Sequence, residues 1–235
     1  MNKRQSLESD SLARWHLEEQ VAERFARDER DAPALWHVIA ISREVGSGGA
    51  IVARLVAQQL GFKLYDREII TTMAERLQAE VRHVEAMDEQ VPSALENILR
   101  GALERIPSTA SYRRILSELL QEIAAKGKVV ILGRGSTVLL PHALRVRIVA
   151  PMDVRVARVA ELESLTPAAA RKRVEQIDAK RSDFFRVHFK RDVNDPSFYD
   201  IILNTERTSL EHAAGLVLCA VQRRREASEG PHPTS

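Results

Sequence analysis

The chain has 235 residues, a formal net charge of +2 and 44% hydrophobic residues. This length supports one large domain, or one domain with an appendage. A dedicated nucleic-acid binder usually carries a strong basic excess, so the near-neutral balance argues against nucleic acid as a partner. No apolar run approaches the roughly 18 residues that span a bilayer, and the N-terminus lacks the apolar centre of a signal peptide. We therefore expect a soluble cytoplasmic protein.

Cys219 is the single cysteine, so no intramolecular disulfide can form and a reducing compartment is expected. It lies in an apolar helical pattern without an evident base. This pattern predicts a small core residue rather than a nucleophile.

The first 35 residues are predicted to lie outside the main domain, as a polar segment followed by an amphipathic helix. Leu17, Val21 and Phe25 recur at helical spacing and form one apolar stripe. Two uses of this helix stay open: packing on the main domain or across a dimer, and docking of a partner.

The rest of the chain alternates predicted strands with predicted helices. Apolar segments predict strands at residues 37–41, 63–65, 129–132, 144–150 and 198–203. Helices are predicted at residues 50–60, over most of 67–125, and at 151–162, 166–185 and 210–225. The alternation favours an α/β fold with a mostly parallel sheet.

Ligands of such sheets bind outside the carboxyl ends of the strands. Residues 42–49, Asp66 and Arg134 follow predicted strands and are therefore expected near a site. Asn204 and Thr205 follow the last strand, where we expect their side chains to cap the final helix.

The turn from Gly46 to Gly49 joins a predicted strand to a predicted helix. Such a glycine-rich turn exposes backbone N–H groups, and the helix N-terminus adds partial positive charge, which together suit a phosphate. A tight turn without ligand is one alternative. A dinucleotide site is another, because two of three fingerprint positions match and Asp66 lies 20 residues after Gly46. A long helical insertion after two strands fits a nucleotide-kinase loop better.

Several short motifs occur in one order along residues 36–222. They are Ser42-Arg43-Glu44-x-Gly46-Ser47-Gly48-Gly49, Leu60-Gly61, Tyr65-Asp66-Arg67, Gly133-Arg134-Gly135, Asp178-x-Lys180-Arg181 with Phe184-Phe185, and Tyr199-Asp200-x-x-Leu203-Asn204-Thr205. As a set they resemble the cytidylate kinase-like family, a branch of the P-loop nucleotide kinases. The resemblance implies a P-loop kinase fold: a mostly parallel five-stranded sheet flanked by helices, with a helical insertion and a short helical lid.

The resemblance also implies a division of the chain. Residues 36–226 would form the kinase-like domain, with the insertion at about 67–125 and the lid at about 164–192. Residues 1–35 lie outside it, and residues 227–235 are expected to be a disordered tail.

Ordinary cytidylate kinases end this loop with Gly-Ser-Gly-Lys, then a small residue and a metal-binding Thr. Here Gly49 takes the place of the lysine and Ile51 that of the Thr, and the resembling branch shares the missing lysine. The resemblance implies that ATP phosphates bind to Gly46, Ser47, Gly48, Gly49 and Ala50.

Three arginines are the candidate catalytic cations: Arg134 and Arg181 by resemblance, and Arg43 because it lies in the loop, six residues before Gly49. Arg43 is the candidate substitute for the lysine, with a surface ion pair to Glu44 or Asp66 as the alternative. Arg134 resembles the arginine that holds the phosphate of the acceptor, with a structural ion pair as the alternative. Arg181 resembles a residue of the lid that closes over the transferring phosphates, and Lys180 beside it is a second lid residue.

Asp66 and Arg67 resemble residues on the acceptor side of these kinases. Asp66 is also the candidate ligand for Mg²⁺, while capping of the next helix is its alternative role. Ser47 is the other candidate for the metal.

The implied reaction is transfer of the ATP γ-phosphoryl group to a nucleoside monophosphate, with CMP or dCMP as the acceptor and Mg²⁺ as the cofactor. The partners would be nucleoside mono- and triphosphates, and a homodimer through the N-terminal helix or the insertion stays open. The alternative is a nucleotide-binding regulatory or scaffolding protein with lost or weak activity, which the missing lysine and the extra helix favour.

Overall fold

The computed structural model describes residues 35–76 and 109–229. The described residues up to 222 form one compact unit, and residues 223–229 belong to a second. The expectations for the N-terminal helix, for much of the helical insertion and for the end of the tail lie outside the described residues.

The described residues contain one sheet, whose strands are β1 (Leu35–Arg43), β2 (Lys63–Tyr65), β3 (Val129–Leu132), β4 (Ala143–Val149) and β5 (Ile201–Asn204). Their order is β2-β3-β1-β4-β5, and all four neighbouring pairs are parallel. The prediction of a five-stranded parallel sheet is therefore confirmed. β1 is the central strand, so the loop that follows it lies at the middle of the sheet edge.

The helices are α1 (Gly49–Leu60), α2 (Glu68–Arg76), α3 (Thr109–Ala125), α4 (Ser136–Leu139), α5 (Met152–Glu163), α6 (Pro167–Phe189) and α7 (Leu210–Glu229). Gly61 ends α1 in the left-handed conformation, and the hydroxyl of Thr166 caps α6 by accepting from the N–H of Ala169, both as the sequence predicts. In the parts of the chain that the structure describes, no helix is long and apolar enough to cross a bilayer.

Three expectations are wrong. The last strand begins at Ile201 rather than at 198, because Asp195 accepts from the N–H of Ser197 and caps a 3₁₀ turn over Pro196–Phe198. Helix α7 continues to Glu229, so residues 227–229 are helical rather than a disordered tail. Cys219 is exposed rather than part of the core.

The core has two layers because β1 is buried on both of its faces. Val38 and Ala40 face one cluster, which also contains apolar side chains of α2, α3 and α6. Ile39 and Ile41 face the other, which contains apolar side chains of α1 and α7. All four residues are fully buried. Because a central parallel strand is buried on both faces, its sequence is a continuous apolar run.

An aromatic cluster anchors the C-terminal half of α6 in the first of these layers. The ring of His188 lies 4.7 Å from the ring centre of Tyr112 and 4.6 Å from that of Phe184. Burial, together with the nearby charges of Arg113 and Lys190, lowers the pKa of His188 to about 4. His188 is therefore a neutral core residue at physiological pH.

Replacing Gly135 by Ala should strongly destabilise the fold. Gly135 has a φ of 64°, and an added Cβ would overlap with the ring of Phe189. Left-handed strain of about 1–2 kcal/mol and overpacking of about 1–3 kcal/mol together predict a loss of about 2–5 kcal/mol in the free energy of unfolding, measured by urea denaturation. Gly61→Ala is the matched control. Gly61 has a φ of 65°, but a Cβ added there would have no neighbouring atom within 4 Å, so only the left-handed strain remains. Equal losses for both variants would contradict the packing argument.

Replacing His188 by Phe should remove a pH dependence of stability. The pKa of His188 is about 4 in the folded chain against an ordinary value of 6.5. Between these values the unfolded chain binds more protons, so the free energy of unfolding falls as pH drops from 6.5 to 4, by up to about 1.4 kcal/mol per pH unit. Denaturation at several pH values should show a flatter profile for His188→Phe. His212→Phe, at an exposed position of α7, should keep the wild-type slope.

Candidate active site

The glycine loop, residues 44–48, leads from β1 directly into α1. Gly48 is left-handed with a φ of 80°, and its carbonyl accepts from the N–H groups of Ile51 and Val52 at 2.9 and 3.0 Å. The first N–H groups of a helix have no acceptor within it. The predicted arrangement of strand, turn and helix N-terminus is confirmed, and phosphate binding by Gly46 to Ala50 stays a prediction.

Arg158 of α5 and Thr205 after β5 hold the carbonyl groups of this loop, and we call this pair the loop clamp. The hydroxyl of Thr205 donates to the carbonyl of Ser47 at 2.7 Å. Arg158 donates to the carbonyl of Gly46 at 3.3 Å and to the Thr205 carbonyl at 2.7 Å. In a trans peptide the N–H points opposite to the C=O. The bond to the carbonyl of Ser47 therefore turns the N–H of Gly48 away from Thr205.

The loop clamp corrects one prediction and adds a residue that the sequence analysis missed. Thr205 is fully buried and bonds to Ser47, whereas the final helix begins five positions later at Leu210, so Thr205 does not cap it. Asn204 does not cap it either, because its side chain accepts from the N–H of Glu206 in the intervening turn. Arg158 belongs to no motif; its spacing from the loop gives no signal in the sequence.

The side chain of Arg43 lies between the glycine loop and the turn after β3. A Cβ added at Gly49 would overlap with the Cβ of Arg43, and a Cβ added at Gly133 would overlap with its Nη1. The stem of Arg43 therefore fills the space in which a lysine at position 49 would begin. The guanidinium group lies against Gly133, at the edge of the sheet where ligands bind.

The turn Gly133-Arg134-Gly135 is left-handed at all three positions, with φ values of 79°, 59° and 64°. Arg134 is only 4% exposed. Burial lowers the pKa of Arg134 to about 9; the charges of Arg43, Arg181 and Arg67 also lower it, while Asp66 raises it. A non-glycine residue held in this conformation is a feature of functional sites.

These four guanidinium groups form what we call the arginine cluster: Arg43, Arg67, Arg134 and Arg181. Asp66, which follows β2, is the carboxylate whose charge offsets that of buried Arg134. Several cations of one sign at the carboxyl edge of a sheet attract anions. The structure thus brings together the three arginines that the sequence analysis singled out, with Asp66 and Arg67 beside them.

Helix α6 contacts the glycine loop through Asp178 and Arg181. The carboxylate of Asp178 accepts from the N–H of Val45 at 3.0 Å and forms an ion pair with Arg155. Arg181 donates to the carbonyl of Arg43 at 3.0 Å. The motif Asp178-x-Lys180-Arg181 therefore connects α6 to the loop through its first and last members, and Lys180 is half-buried between them.

A cavity of about 240 Å³ lies under α6, at the ends of β1, β3 and β4. Arg43 and Arg181 line it, and so do Ser136 and Thr137. The wall contains neither Asp66 nor the loop residues 46–50. The cavity and the helix N-terminus are therefore two neighbouring places at one edge of the sheet.

The two candidates for a metal ligand differ in their surroundings. Ser47 is fully buried and its hydroxyl donates to the carbonyl of Glu44 at 2.8 Å, so its lone proton is already used within the loop. Asp66 follows β2 and lies beside the arginine cluster. Its role as a metal ligand stays a prediction. Within residues 35–76 and 109–229, no three His, Cys, Asp or Glu side chains are grouped to hold a metal.

The parallel sheet, the glycine loop after its central strand and the arginines around that loop define a P-loop kinase fold. Comparison with known proteins narrows this class. The model of the cytidylate kinase-like family matches residues 38–207, and the chain belongs to this family.

The chain is similar to archaeal proteins named cytidylate kinase. It is 27% identical to the cytidylate kinase of Halobacterium salinarum over 201 residues, and the aligned region covers 83% of this chain and 95% of that relative. It is 28% identical over 189 residues to that of Archaeoglobus fulgidus, covering 78% and 94%. An uncharacterised protein from Eubacterium ventriosum has a similar solved structure, with a TM-score of 0.60 and 20% identity over 79% of this chain and 98% of that one.

Replacing Thr205 by Val should destabilise the fold by about 1–3 kcal/mol. The variant keeps the shape of the side chain but leaves the buried Ser47 carbonyl without its donor and Arg158 without one acceptor. Thr72→Val on α2 is the matched control, because that hydroxyl makes a solvent-exposed bond to Glu68, and its effect should stay within about 0.5 kcal/mol. Thermal or urea denaturation compares the two, and equal effects would contradict the clamp.

Proposed function

We propose that this protein transfers the γ-phosphoryl group of ATP to a nucleoside monophosphate, with CMP or dCMP as the preferred acceptor. One observation carries the proposal: Arg43 occupies the space of the missing lysine and directs its guanidinium group towards the turn that bears Arg134. A cation is thereby available beside the glycine loop. The names of the archaeal relatives support the choice of acceptor.

The donor triphosphate binds at the N-terminus of α1 in this proposal. The N–H groups of Gly48, Gly49 and Ala50 are its donors, while the N–H of Ser47 already bonds to the carbonyl of Glu44 at 3.3 Å. The dipole of α1 adds partial positive charge at this point. Gly46 contributes through its left-handed φ of 76°, which shapes the loop.

The transfer step needs positioning and charge neutralisation rather than a covalent intermediate. An oxygen of the acceptor phosphate forms a bond to the γ-phosphorus, and the bond from that phosphorus to the bridging oxygen of ADP breaks. Arg43 and Arg181 neutralise the charge on the transferred group. Arg134 holds the acceptor phosphate, with Arg67 on the acceptor side. Helix α6, together with Lys180, excludes water as the lid.

The donor set suits Mg²⁺, which is usually bound through one or two carboxylates and the phosphates of the substrate. Asp66 is our candidate carboxylate for this role. Ser47 is the other candidate, because the bond from its hydroxyl proton to the Glu44 carbonyl does not use the oxygen lone pairs that a metal binds. When bound, Mg²⁺ would neutralise phosphate charge.

A second candidate is a nucleotide-binding regulatory protein without transfer activity. Gly49 favours it, because the lysine that it replaces normally stabilises the transferred group. Assays of the purified chain with ATP, Mg²⁺ and a panel of nucleoside monophosphates separate the two. Turnover of CMP or dCMP supports the kinase, and nucleotide binding without turnover of any acceptor supports the regulator.

Replacing Arg43 by Ala should lower kcat/KM for phosphoryl transfer roughly 100-fold or more, because a cation at the transferred group is lost. A coupled ADP-release assay measures this. Arg114→Ala on α3 is the control: that side chain is exposed and pairs with Glu118 of the same helix, so activity should not change. Wild-type activity in Arg43→Ala would contradict the proposed role.

Moving the cation from position 43 to position 49 gives a second test of this role. Gly49→Lys alone should lose activity, because the new side chain overlaps with the stem of Arg43. Arg43→Gly combined with Gly49→Lys removes the overlapping Cβ of Arg43, and should be roughly tenfold or more above Arg43→Gly alone, since residues in contact are strongly coupled. A double variant no better than Arg43→Gly would contradict the idea that Arg43 replaces the lysine.

A further inference from the structure

Ser136 and Thr137, on the first turn of α4, carry buried hydroxyl groups that the fold does not use. They are 1% and 2% exposed, and neither Oγ of Ser136 nor Oγ1 of Thr137 has a hydrogen-bond partner. Buried polar atoms are nearly always bonded, and an unsatisfied one costs about 1–3 kcal/mol. Helical Ser and Thr often donate to a carbonyl of the preceding turn, but these two do not. Both residues line the cavity under α6.

The groups around these hydroxyls point to an anion. The guanidinium group of Arg43 lies against Gly133, whose carbonyl accepts from the N–H of Ser136 at 3.1 Å. Arg181, which donates to the carbonyl of Arg43, lines the same cavity. The wall also contains three carboxylates, each paired with an arginine: Glu44 with Arg147 and Arg155, Asp178 with Arg155, and Glu175 with Arg171. Hydroxyl donors and guanidinium groups facing one space are the donors that a phosphate takes.

The position of the cavity separates the two phosphates that could occupy it. The donor triphosphate belongs at the N-terminus of α1, and residues 46–50 are not part of the cavity wall. Gly133 and Gly135 line the wall on either side of Arg134, the proposed ligand of the acceptor phosphate. We therefore assign the space to the acceptor rather than to the donor.

We propose that the hydroxyls of Ser136 and Thr137 donate hydrogen bonds to the phosphate of the acceptor nucleotide, in the cavity that Arg43 and Arg181 line. This assignment rests on the proposed function and adds two specificity-determining residues to it. They favour a phosphorylated acceptor over the free nucleoside, because two buried donors stay unsatisfied when the phosphate is absent.

Calorimetric titration with CMP and with cytidine tests the assignment. Ser136→Ala and Thr137→Val should each weaken CMP binding about 3- to 10-fold, the worth of one hydrogen bond, and should leave cytidine binding and ATP binding unchanged. Thr137→Ser keeps the hydroxyl and should bind CMP like the wild type. Without ligand, Ser136→Ala and Thr137→Val should melt at or above the wild-type temperature, because an unsatisfied buried group is removed.

Ser117→Ala on α3, outside the cavity wall, is the control and should bind CMP normally. The assignment is overturned if CMP and cytidine weaken equally, if neither weakens, or if ATP binding falls while CMP binding does not. A wild-type protein that binds CMP but transfers no phosphoryl group would contradict the proposed activity alone. The binding measurements would still test whether the hydroxyls of Ser136 and Thr137 contact the phosphate. A protein that binds no nucleoside monophosphate would overturn both.

Discussion

The side chain of Arg43 is packed against two glycines, and the rest of the site depends on this contact. Gly49 opens α1 and Gly133 opens the turn after β3, and neither position has room for a Cβ while Arg43 lies between them. The contact joins the loop of the central strand to the turn of its neighbour. It places one guanidinium group between the N-terminus of α1 and the cavity under α6.

The arginines around this site divide into two groups by their partners. Arg147 and Arg155 are buried and lie near the carboxylate of Glu44, at 3.9 and 3.5 Å. Arg147 also bonds to Asn194 at 2.7 Å, and Arg155 pairs with Asp178. These two cations hold the ends of β1, β4 and α6 together. The arginine cluster instead lies beside Asp66, and its member Arg181 also pairs with Asp178 at 3.7 Å. Several guanidinium groups at one edge of the sheet attract anions such as a nucleotide phosphate.

Local sequence signals predicted the sheet and the loop well. Residues 129–132 match β3, because a short apolar run between Gly127 and Gly133 specifies a buried strand without help from distant residues. Residues 63–65 match β2, which follows the helix end at Gly61. Gly61 and Thr166 mark helix ends through chemistry that acts within four residues. Arg43 ends β1, and Arg67 and Arg134 follow β2 and β3, so parallel topology brings these three to one edge. Arg181 was found through the motif on α6.

Contacts between distant segments were not predictable in the same way. Thr205 bonds to Ser47 across 158 positions, and a capping role was expected because only the nearby helix was visible in the sequence. Arg158 meets the loop 112 positions earlier in the chain and has no local pattern. The unsatisfied hydroxyls of Ser136 and Thr137 depend on burial, which a short helix of four residues does not reveal through periodicity.

The mutual exclusion of Arg43 and a side chain at position 49 also bears on how such loops evolve. A descendant that regained the ordinary lysine would first meet a steric conflict, and one that lost the arginine first would lack the proposed substitute for that lysine. Both intermediates are expected to be inferior to either endpoint. Two such solutions are separated by a fitness valley, so a lineage that has adopted one tends to retain it.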